Sequence, residues 1–203
     1  MKILHGLLIV LISTLIMNCS NNKTSNNKEN KTQTKTESDQ TNTTTTSNDK
    51  VFKLESVEKS SGSKIAPNFT WEENGEKKSL NDYKGKVIFL NFWATWCGPC
   101  VKEMPDLSKI SEELKNKDFK MIGLNVFERA SGKAETFLTA SPVSYTIIEG
   151  NEELVNAYSE ADGAPINGIP TTFILNKNGE IKETIVGSRD KESFITLINK
   201  YLN

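Results

Sequence analysis

The sequence predicts an α/β domain built on a mixed central sheet, and three observations lead to this class. Apolar runs typical of buried strands alternate with amphipathic segments typical of helices along the middle of the chain. Near the C-terminus two strand-like runs follow one another directly, joined by Asn-Lys-Asn-Gly at 176–179. Helical connections favour parallel pairing, whereas a tight turn requires antiparallel pairing. The 140 residues from Lys64 onward are enough for one domain with its own core.

The first 19 residues have the pattern of a secretory signal. Lys2 precedes a largely apolar stretch from Ile3 to Met17, which is shorter than the roughly 20 apolar residues of a spanning helix. The stretch ends at Cys19 and resembles a bacterial lipoprotein lipobox, although Asn18 stands where a small residue is usual. We expect a lipid on Cys19 to anchor the folded part outside the cytoplasm. The alternative is an uncleaved anchor with an incidental Cys19.

A disordered polar tether is predicted over residues 20–60, and the folded domain over residues 61–203. From Ser20 to Lys50 the chain holds no aromatic or aliphatic side chain, so this part cannot build a core. The net charge of −1, with lysines scattered among acidic residues, gives no indication of nucleic-acid binding. We therefore expect partners of another kind.

The folded part begins with a predicted β-hairpin, because Asn74-Gly75 separates two short extended runs. A near-continuous apolar run from Val87 to Trp93 predicts a buried strand. The following helix is predicted at 101–117, with Pro105 bending it and apolar residues recurring on one face. Further strands are predicted at 120–127, 143–148, 171–175 and 180–186, and further helices at 133–139, 151–158 and 190–202.

Two cysteines at Cys97 and Cys100 stand at the junction between that strand and helix. A helix N-terminus carries unpaired N–H groups and the positive end of the helix dipole, which stabilise the reactive thiolate. Zinc needs four ligands, and the only other candidates are His5 and Cys19 in the N-terminal segment. Haem attachment needs a histidine where Val101 stands. A redox-active dithiol is therefore the main interpretation, and a purely structural disulfide is the alternative.

The segment at 91–100, Asn-Phe-Trp-Ala-Thr-Trp-Cys-Gly-Pro-Cys, resembles the active site of the thioredoxin superfamily. Within it the chain is similar to extracytoplasmic thiol–disulfide oxidoreductases of the TlpA/ResA type, from about Ile65 to Tyr201. Supporting motifs are Ala-Pro-Asn-Phe at 66–69, Glu-Met-Pro at 103–105, Gly-Ile-Pro-Thr-Thr at 168–172 and Asn-Gly-Glu-Ile at 178–181. The resemblance implies a thioredoxin-like fold with an N-terminal β-hairpin extension and an inserted αβ segment.

The resemblance also implies which residues form the site. Cys97, Cys100 and Glu103 would be catalytic, and the substrate-binding residues would be Trp96, Gly98, Pro99, Ile169 and Pro170, with no metal. The peptide between Ile169 and Pro170 would be cis and would face the dithiol; an ordinary strand-edge proline is the alternative. Many thioredoxins bury an aspartate at the position of Asn91, whereas the extracytoplasmic group carries a glutamate at that of Glu103.

Glu103 lies one helical turn beyond Cys100, so its carboxylate could take a proton from that thiol or raise its pKa. The alternative is a solvated surface glutamate. The segment at 161–167 looks longer than is usual in the family. It could shape partner choice, or it could be a tolerated surface insertion.

The expected function is a membrane-anchored protein-disulfide reductase of the cell envelope, acting as a monomer on extracytoplasmic disulfide-containing proteins. Its electrons would come from a membrane-embedded dithiol donor, and cytochrome c maturation is one client process that the resemblance implies. The dithiol is itself the redox group, so no separate cofactor is expected. The alternatives are a disulfide oxidase or isomerase, a peroxiredoxin-like peroxidase, and a binding module that uses the fold as a scaffold.

Overall fold

The computed structural model describes residues 50–203, which contain eight strands, four α-helices and one short 3₁₀-helix at Leu80–Tyr83. The strands are β1 Val51–Val57, β2 Phe69–Glu73, β3 Glu76–Ser79, β4 Val87–Trp93, β5 Phe119–Asn125, β6 Thr146–Glu149, β7 Thr171–Leu175 and β8 Ile181–Val186. The helices are α1 Gly98–Leu114, α2 Lys133–Ala140, α3 Glu152–Asp162 and α4 Lys191–Leu202.

The strands form one mixed sheet in the order β3-β2-β1-β6-β5-β4-β7-β8. The pairs β1/β6, β6/β5 and β5/β4 are parallel, whereas β4/β7, β7/β8, β1/β2 and β2/β3 are antiparallel. Helices connect β4 to β5 and β5 to β6, as parallel neighbours require, and tight turns join the antiparallel pairs β2/β3 and β7/β8. The predicted α/β class and mixed sheet, with helices on its faces, are confirmed.

The first described strand lies earlier in the chain than the sequence predicted. Strand β1 occupies residues 51–57, which the tether over 20–60 was expected to include, and it bridges β2 and β6. Phe52 is buried and Leu54 packs against the same apolar cluster, whereas Val51 packs on the opposite face of the sheet. This short apolar signal adjoins a long polar segment, so composition alone does not separate the two. The predicted signal segment, Cys19 and residues 20–49 lie outside the described residues.

The sheet separates two apolar clusters. Successive side chains of β4 point to opposite faces, so Phe89 and Trp93 join the cluster beneath α1 and α4, and Leu90 and Phe92 join the cluster beneath α3. Each such buried side chain contributes about 1.5–3 kcal/mol to folding. Asn91 is the polar side chain of β4, and it lies on the face covered by α1. Strand β4 therefore places the side-chain amide of Asn91 directly beneath the helix that follows the strand.

Helix α1 begins at Gly98, three residues before its predicted start. Cys97 is its N-cap, and Pro99 occupies the first turn, where its missing N–H costs no helical hydrogen bond. Pro105 lies inside the helix without ending it. Both cysteines therefore lie at the N-terminus of the helix. Among residues 50–203 no helix is both long enough and apolar enough to cross a bilayer.

Candidate active site

Cys97 and Cys100 form a disulfide, with an S–S distance of 2.03 Å and Cα atoms 5.3 Å apart. Cys100 is fully buried, whereas Cys97 keeps 5% of its surface exposed. The backbone N–H of Cys100 donates to Cys97 Sγ at 3.2 Å. A thiolate at Cys97 would therefore receive a hydrogen bond as well as the field of the helix terminus. Cys97 is the sulfur that a partner disulfide can reach.

The predicted cis peptide is present between Ile169 and Pro170, directly before β7. The carbonyl oxygen of Ile169 lies 3.6 Å from Cys97 Sγ. Pro170 is buried, and Ile169 is partly exposed. These two residues therefore lie beside the reactive sulfur, although Ile169 is 72 positions away from Cys97 in the sequence.

Trp96 is the most exposed aromatic side chain of the described residues, with 58% of its surface accessible. Its indole N–H donates to the carbonyl oxygen of Phe127 at 3.0 Å. Phe127 follows β5, has a left-handed backbone (φ 59°) and is 45% exposed. Gly98 and Pro99 are exposed on the other side of Cys97. An apolar surface therefore surrounds the reactive sulfur, and Phe127 is a member of it that the sequence did not reveal.

Glu103 is buried beneath the dithiol, with only 4% of its surface exposed, so the interpretation as a solvated surface residue is wrong. The side-chain amide of Asn91 donates to Glu103 Oε1 at 2.9 Å and to Thr172 Oγ1 at 3.0 Å. Strand pairing places Asn91 directly opposite Thr172 on β7. The carboxyl group of Glu103 is therefore held by the centre of the sheet, one helical turn from Cys100.

Burial raises the pKa of Glu103 from 4.5 to about 7. The hydrogen bond from Asn91 opposes this shift, as do the backbone N–H and the positive charge of Arg189, because all three favour the carboxylate. Arg189 lies between β8 and α4, and nothing in its local sequence marked it. A carboxyl group with this pKa can accept or donate a proton near neutral pH.

Three buried polar atoms have no hydrogen-bond partner among residues 50–203, namely Trp93 Nε1, Glu103 Oε2 and Tyr145 Oη. All three belong to side chains of the cluster beneath α1 or of the helix itself. Trp93 and Tyr145 both fill the space above Gly123, where a Cβ atom would lie 3.2 Å and 3.1 Å from them. Burial raises the pKa of Tyr145, and the charge of Glu103 adds to this effect. The Tyr145 hydroxyl therefore stays protonated.

Glu128 holds the loop that precedes the dithiol. Its carboxylate accepts from the backbone N–H of Thr95, from Thr95 Oγ1 at 3.1 Å and from Asn125 Nδ2 at 3.0 Å. Asn125 ends β5, next to the end of β4. Glu128 thereby fixes the backbone between β4 and Cys97. No local pattern indicated this role, because Thr95 and Glu128 are 33 residues apart.

Comparisons with known proteins agree with this geometry. The model of the Redoxin family matches residues 60–198. The thiol-disulfide oxidoreductase ResA of Geobacillus kaustophilus is 36% identical over 131 residues, covering 63% of this chain and 70% of that protein. The ResA of Bacillus subtilis is 31% identical over 140 residues, covering 68% of this chain and 72% of that protein.

Solved structures show the same relationship. A thioredoxin-family thiol:disulfide interchange protein from Chlorobium tepidum superimposes with a TM-score of 0.62 at 30% identity, covering 70% of this chain and 97% of that one. StoA from Bacillus subtilis gives a TM-score of 0.54 at 29% identity, covering 64% and 96%. With the Cys97–Cys100 pair at the N-terminus of α1, these matches show that the chain belongs to the Redoxin family, as a thioredoxin-like thiol–disulfide oxidoreductase of the TlpA/ResA type.

Proposed function

We propose that this oxidoreductase reduces disulfides in proteins outside the cytoplasm, with Cys97 as the nucleophile and Cys100 as the resolving thiol. The observation that carries the proposal is the asymmetry of the pair. Cys97 reaches the surface beside Ile169, whereas Cys100 is fully buried above the carboxyl group of Glu103. One sulfur can therefore meet a partner, and the other can complete the reaction without solvent.

In the first step the Cys97 thiolate of the reduced enzyme attacks one sulfur of the partner disulfide. A new S–S bond forms between Cys97 and the partner, and the other partner sulfur leaves as a thiolate. In the second step Cys100 loses its proton and attacks Cys97 Sγ. The Cys97–Cys100 disulfide forms, the mixed disulfide breaks, and the second partner sulfur leaves as a thiolate. The partner has then gained two electrons and the enzyme dithiol has lost two. A donor dithiol must return them before the next cycle.

Glu103 is the residue that we assign to the proton of Cys100. Its raised pKa, about 7, suits acceptance of a thiol proton near neutral pH, and it lies on the buried side of the helix with Cys100. In the reduced enzyme a negative charge on either group raises the pKa of the other. The pair therefore shares one proton over part of the pH range. No separate cofactor is needed, because electrons pass only between sulfur atoms.

The location outside the cytoplasm rests on the signal-like segment before Cys19, and the lipid on Cys19 is part of the proposal. A solved relative from Corynebacterium glutamicum, 26% identical, is described as a secreted thiol-disulfide isomerase. Membrane-embedded dithiol proteins are the proposed electron donors, and cytochrome c maturation is one proposed client process. Fractionation of cells tests the anchor, because Cys19→Ser should release the protein from the membrane fraction. Retention of that variant would assign anchoring to the uncleaved segment.

Insulin reduction coupled to a chemical reductant tests the activity. The wild type should accelerate precipitation of the insulin chains, and Cys97→Ser should abolish the acceleration. Cys100→Ala should accumulate mixed disulfides through Cys97, visible on non-reducing gels. Equal turnover by wild type and Cys97→Ser would refute the mechanism and favour a scaffold function. The redox potential of the Cys97–Cys100 pair decides whether the enzyme reduces or oxidises its partners. We expect it to be nearer to the value of about −270 mV for thioredoxin than to the roughly −120 mV of a strong disulfide oxidant.

A further inference from the structure

A groove of about 840 Å³ opens beside Phe127, the exposed residue that contacts Trp96. The loop after β5, residues 127–131, forms one wall, and the segment 165–167 forms the opposite wall. The start of α3 lies between them, with Asn151, Val155 and Asn156 facing the groove. This volume lies within the range of about 300–1,000 Å³ that is typical of ligand sites. The groove is therefore large enough for several side chains of a bound polypeptide.

The groove is continuous with the surface around Cys97. Phe127 lines the groove, and its carbonyl oxygen accepts the indole N–H of Trp96. Asn167 lines the opposite wall and stands two residues before Ile169, whose carbonyl oxygen is 3.6 Å from Cys97 Sγ. When a client polypeptide is joined to Cys97 by a disulfide, the client residues next to its cysteine therefore lie close to this groove.

The wall at 165–167 belongs to the long segment at 161–167 noted in the sequence. This segment is anchored to the domain. Gly163 ends α3 with a left-handed backbone, and the backbone N–H of Ile166 donates to Ser159 Oγ at 3.0 Å. Ile166 is buried against the cluster beneath α3. Of the two interpretations of this segment, a tolerated insertion or a determinant of partner choice, its fixed position in the wall supports the second.

The charged groups of the groove are mostly acidic. Glu128, Glu149 and Glu152 line it together with one cation, Arg129. Within residues 50–203 none of these carboxylates has a Lys or Arg nitrogen within 4.0 Å. Glu128 accepts from Thr95 and Asn125, and Glu149 accepts from Ser131 Oγ at 3.0 Å, so among the described residues Glu152 is the carboxylate of the groove with the fewest partners. The groove therefore complements a positively charged side chain.

A helix N-terminus usually favours an anion, but the N-terminus of α3 does not turn the groove into an anion site. The side chain of Asn151 already accepts from the backbone N–H of Leu154, and the first turn carries Glu152 and Glu153. These acidic residues occupy the positive end of the helix dipole. A bound anion would meet them first. A cation is the favoured occupant.

We propose that this groove, residues 127–131, 149–152, 155–156 and 165–167, binds the segment of the client protein that adjoins its disulfide cysteine, and that it selects segments carrying lysine or arginine. The inference rests on the proposed reduction of protein disulfides and adds a class of client to it. The dithiol reduces the client disulfide, and the groove determines which client segments bind beside it.

Reduction of two synthetic disulfide peptides tests the preference. In one peptide lysines flank the cysteine on both sides, and in the other glutamates take their place. The wild type should reduce the lysine peptide with the higher kcat/KM. Glu149→Gln/Glu152→Gln should lower the ratio of kcat/KM for the lysine peptide over the glutamate peptide by about twofold to roughly thirtyfold, since each of the two exposed ion pairs contributes about 0.2–1 kcal/mol. About 0.5 M salt should weaken the wild-type preference in the same way.

The matched control is Glu58→Gln/Glu160→Gln, which removes the same two charges on the side of α3 that faces Val57, where neither residue lines the groove. This control should keep the wild-type preference. An equal loss in the control would refute the groove and assign the preference to the general field of the protein. An active wild type that reduces both peptides equally also refutes the groove, but leaves the reductase function intact. No reduction of either peptide refutes the proposed function itself.

Cross-linking locates the bound segment directly. In Cys100→Ala the lysine peptide, carrying a photoreactive residue three positions from its cysteine, is trapped as a mixed disulfide with Cys97. Cross-links should fall within 127–131 or 165–167. Cross-links confined to α1 and α4, near Lys102 and Arg189, would place the client on the opposite side of the dithiol and refute the proposal.

Discussion

Replacement of Glu103 by glutamine tests how the buried carboxyl group affects stability. A pKa raised from 4.5 to about 7 means that the folded protein favours the neutral carboxyl over the carboxylate by about 3 kcal/mol. Glu103→Gln keeps the size of the side chain and an oxygen that can accept from Asn91. Its new amide N–H groups lack an assigned acceptor, which costs about 1 kcal/mol at every pH. The net gain at pH 8 is therefore about 2 kcal/mol.

The pH dependence has a defined sign. Between the unfolded pKa of 4.5 and the folded value of about 7, the folded state binds more protons than the unfolded state. The free energy of unfolding of the wild type therefore falls as the pH rises through this window. The free-energy cost of ionising Glu103 in the folded protein is absent below about pH 4.5 and complete above about pH 7. The glutamine variant has no such cost at any pH.

Urea unfolding of the oxidised protein between pH 4 and pH 8 measures this effect. The difference in unfolding free energy, wild type minus Glu103→Gln, should change from about +1 to about −2 kcal/mol across the range. Glu112→Gln is the matched control on α1, because Glu112 is exposed and pairs only with Lys115; its difference should stay within about 0.5 kcal/mol at every pH. A difference for Glu103→Gln that does not vary with pH would refute the assignment of a neutral, buried carboxyl group.

Two further variants test the packing around the site. Gly123→Ala should destabilise the protein by about 1–3 kcal/mol in urea, because the new Cβ would lie 2.6 Å from Ile147 Cδ1, whereas Gly62→Ala, whose nearest contact is 3.7 Å away, should cost under about 1 kcal/mol. Glu128→Ala should cost about 1–3 kcal/mol and slow alkylation of reduced Cys97, because the Thr95 N–H loses its acceptor. Wild-type stability and alkylation rate in Glu128→Ala would show that the loop before the dithiol needs no such support.

The position of the dithiol could be predicted because its determinants are local. A continuous apolar run, the pair of cysteines two residues apart and an amphipathic face all lie within about 25 residues of Cys97. The final hairpin and α4 are equally local. Strand β1 was missed for the opposite reason. Its seven residues gain their stability from pairing with β2 and β6, and the sequence beside it is polar.

The remaining parts of the site depend on contacts between distant segments. Phe127, Glu128 and Arg189 reach the dithiol region only because β5 and β8 end at the same edge of the sheet. The residues next to a glutamate or arginine in a loop do not indicate that it makes such a contact. Glu103 was identified through helical spacing, but spacing does not give its burial. The sheet surface that faces Glu103 sets its burial, and Gly123 contributes by leaving space for larger neighbours.

The site holds one buried carboxyl group, which lies on α1, while β4 carries an amide. The need to avoid a second buried carboxyl group explains why Asn91 and Glu103 occur together. Two buried carboxyl groups at hydrogen-bond distance could not both ionise, so one would remain protonated at a much higher pKa. An amide at position 91 avoids this conflict, and it donates to Glu103 Oε1 and to Thr172. A single carboxyl group then lies on the helix that carries Cys100, with a pKa of about 7. In our proposal this arrangement lets the proton of the resolving thiol move one helical turn at neutral pH, whereas a carboxyl on β4 would lie across the packing space from it.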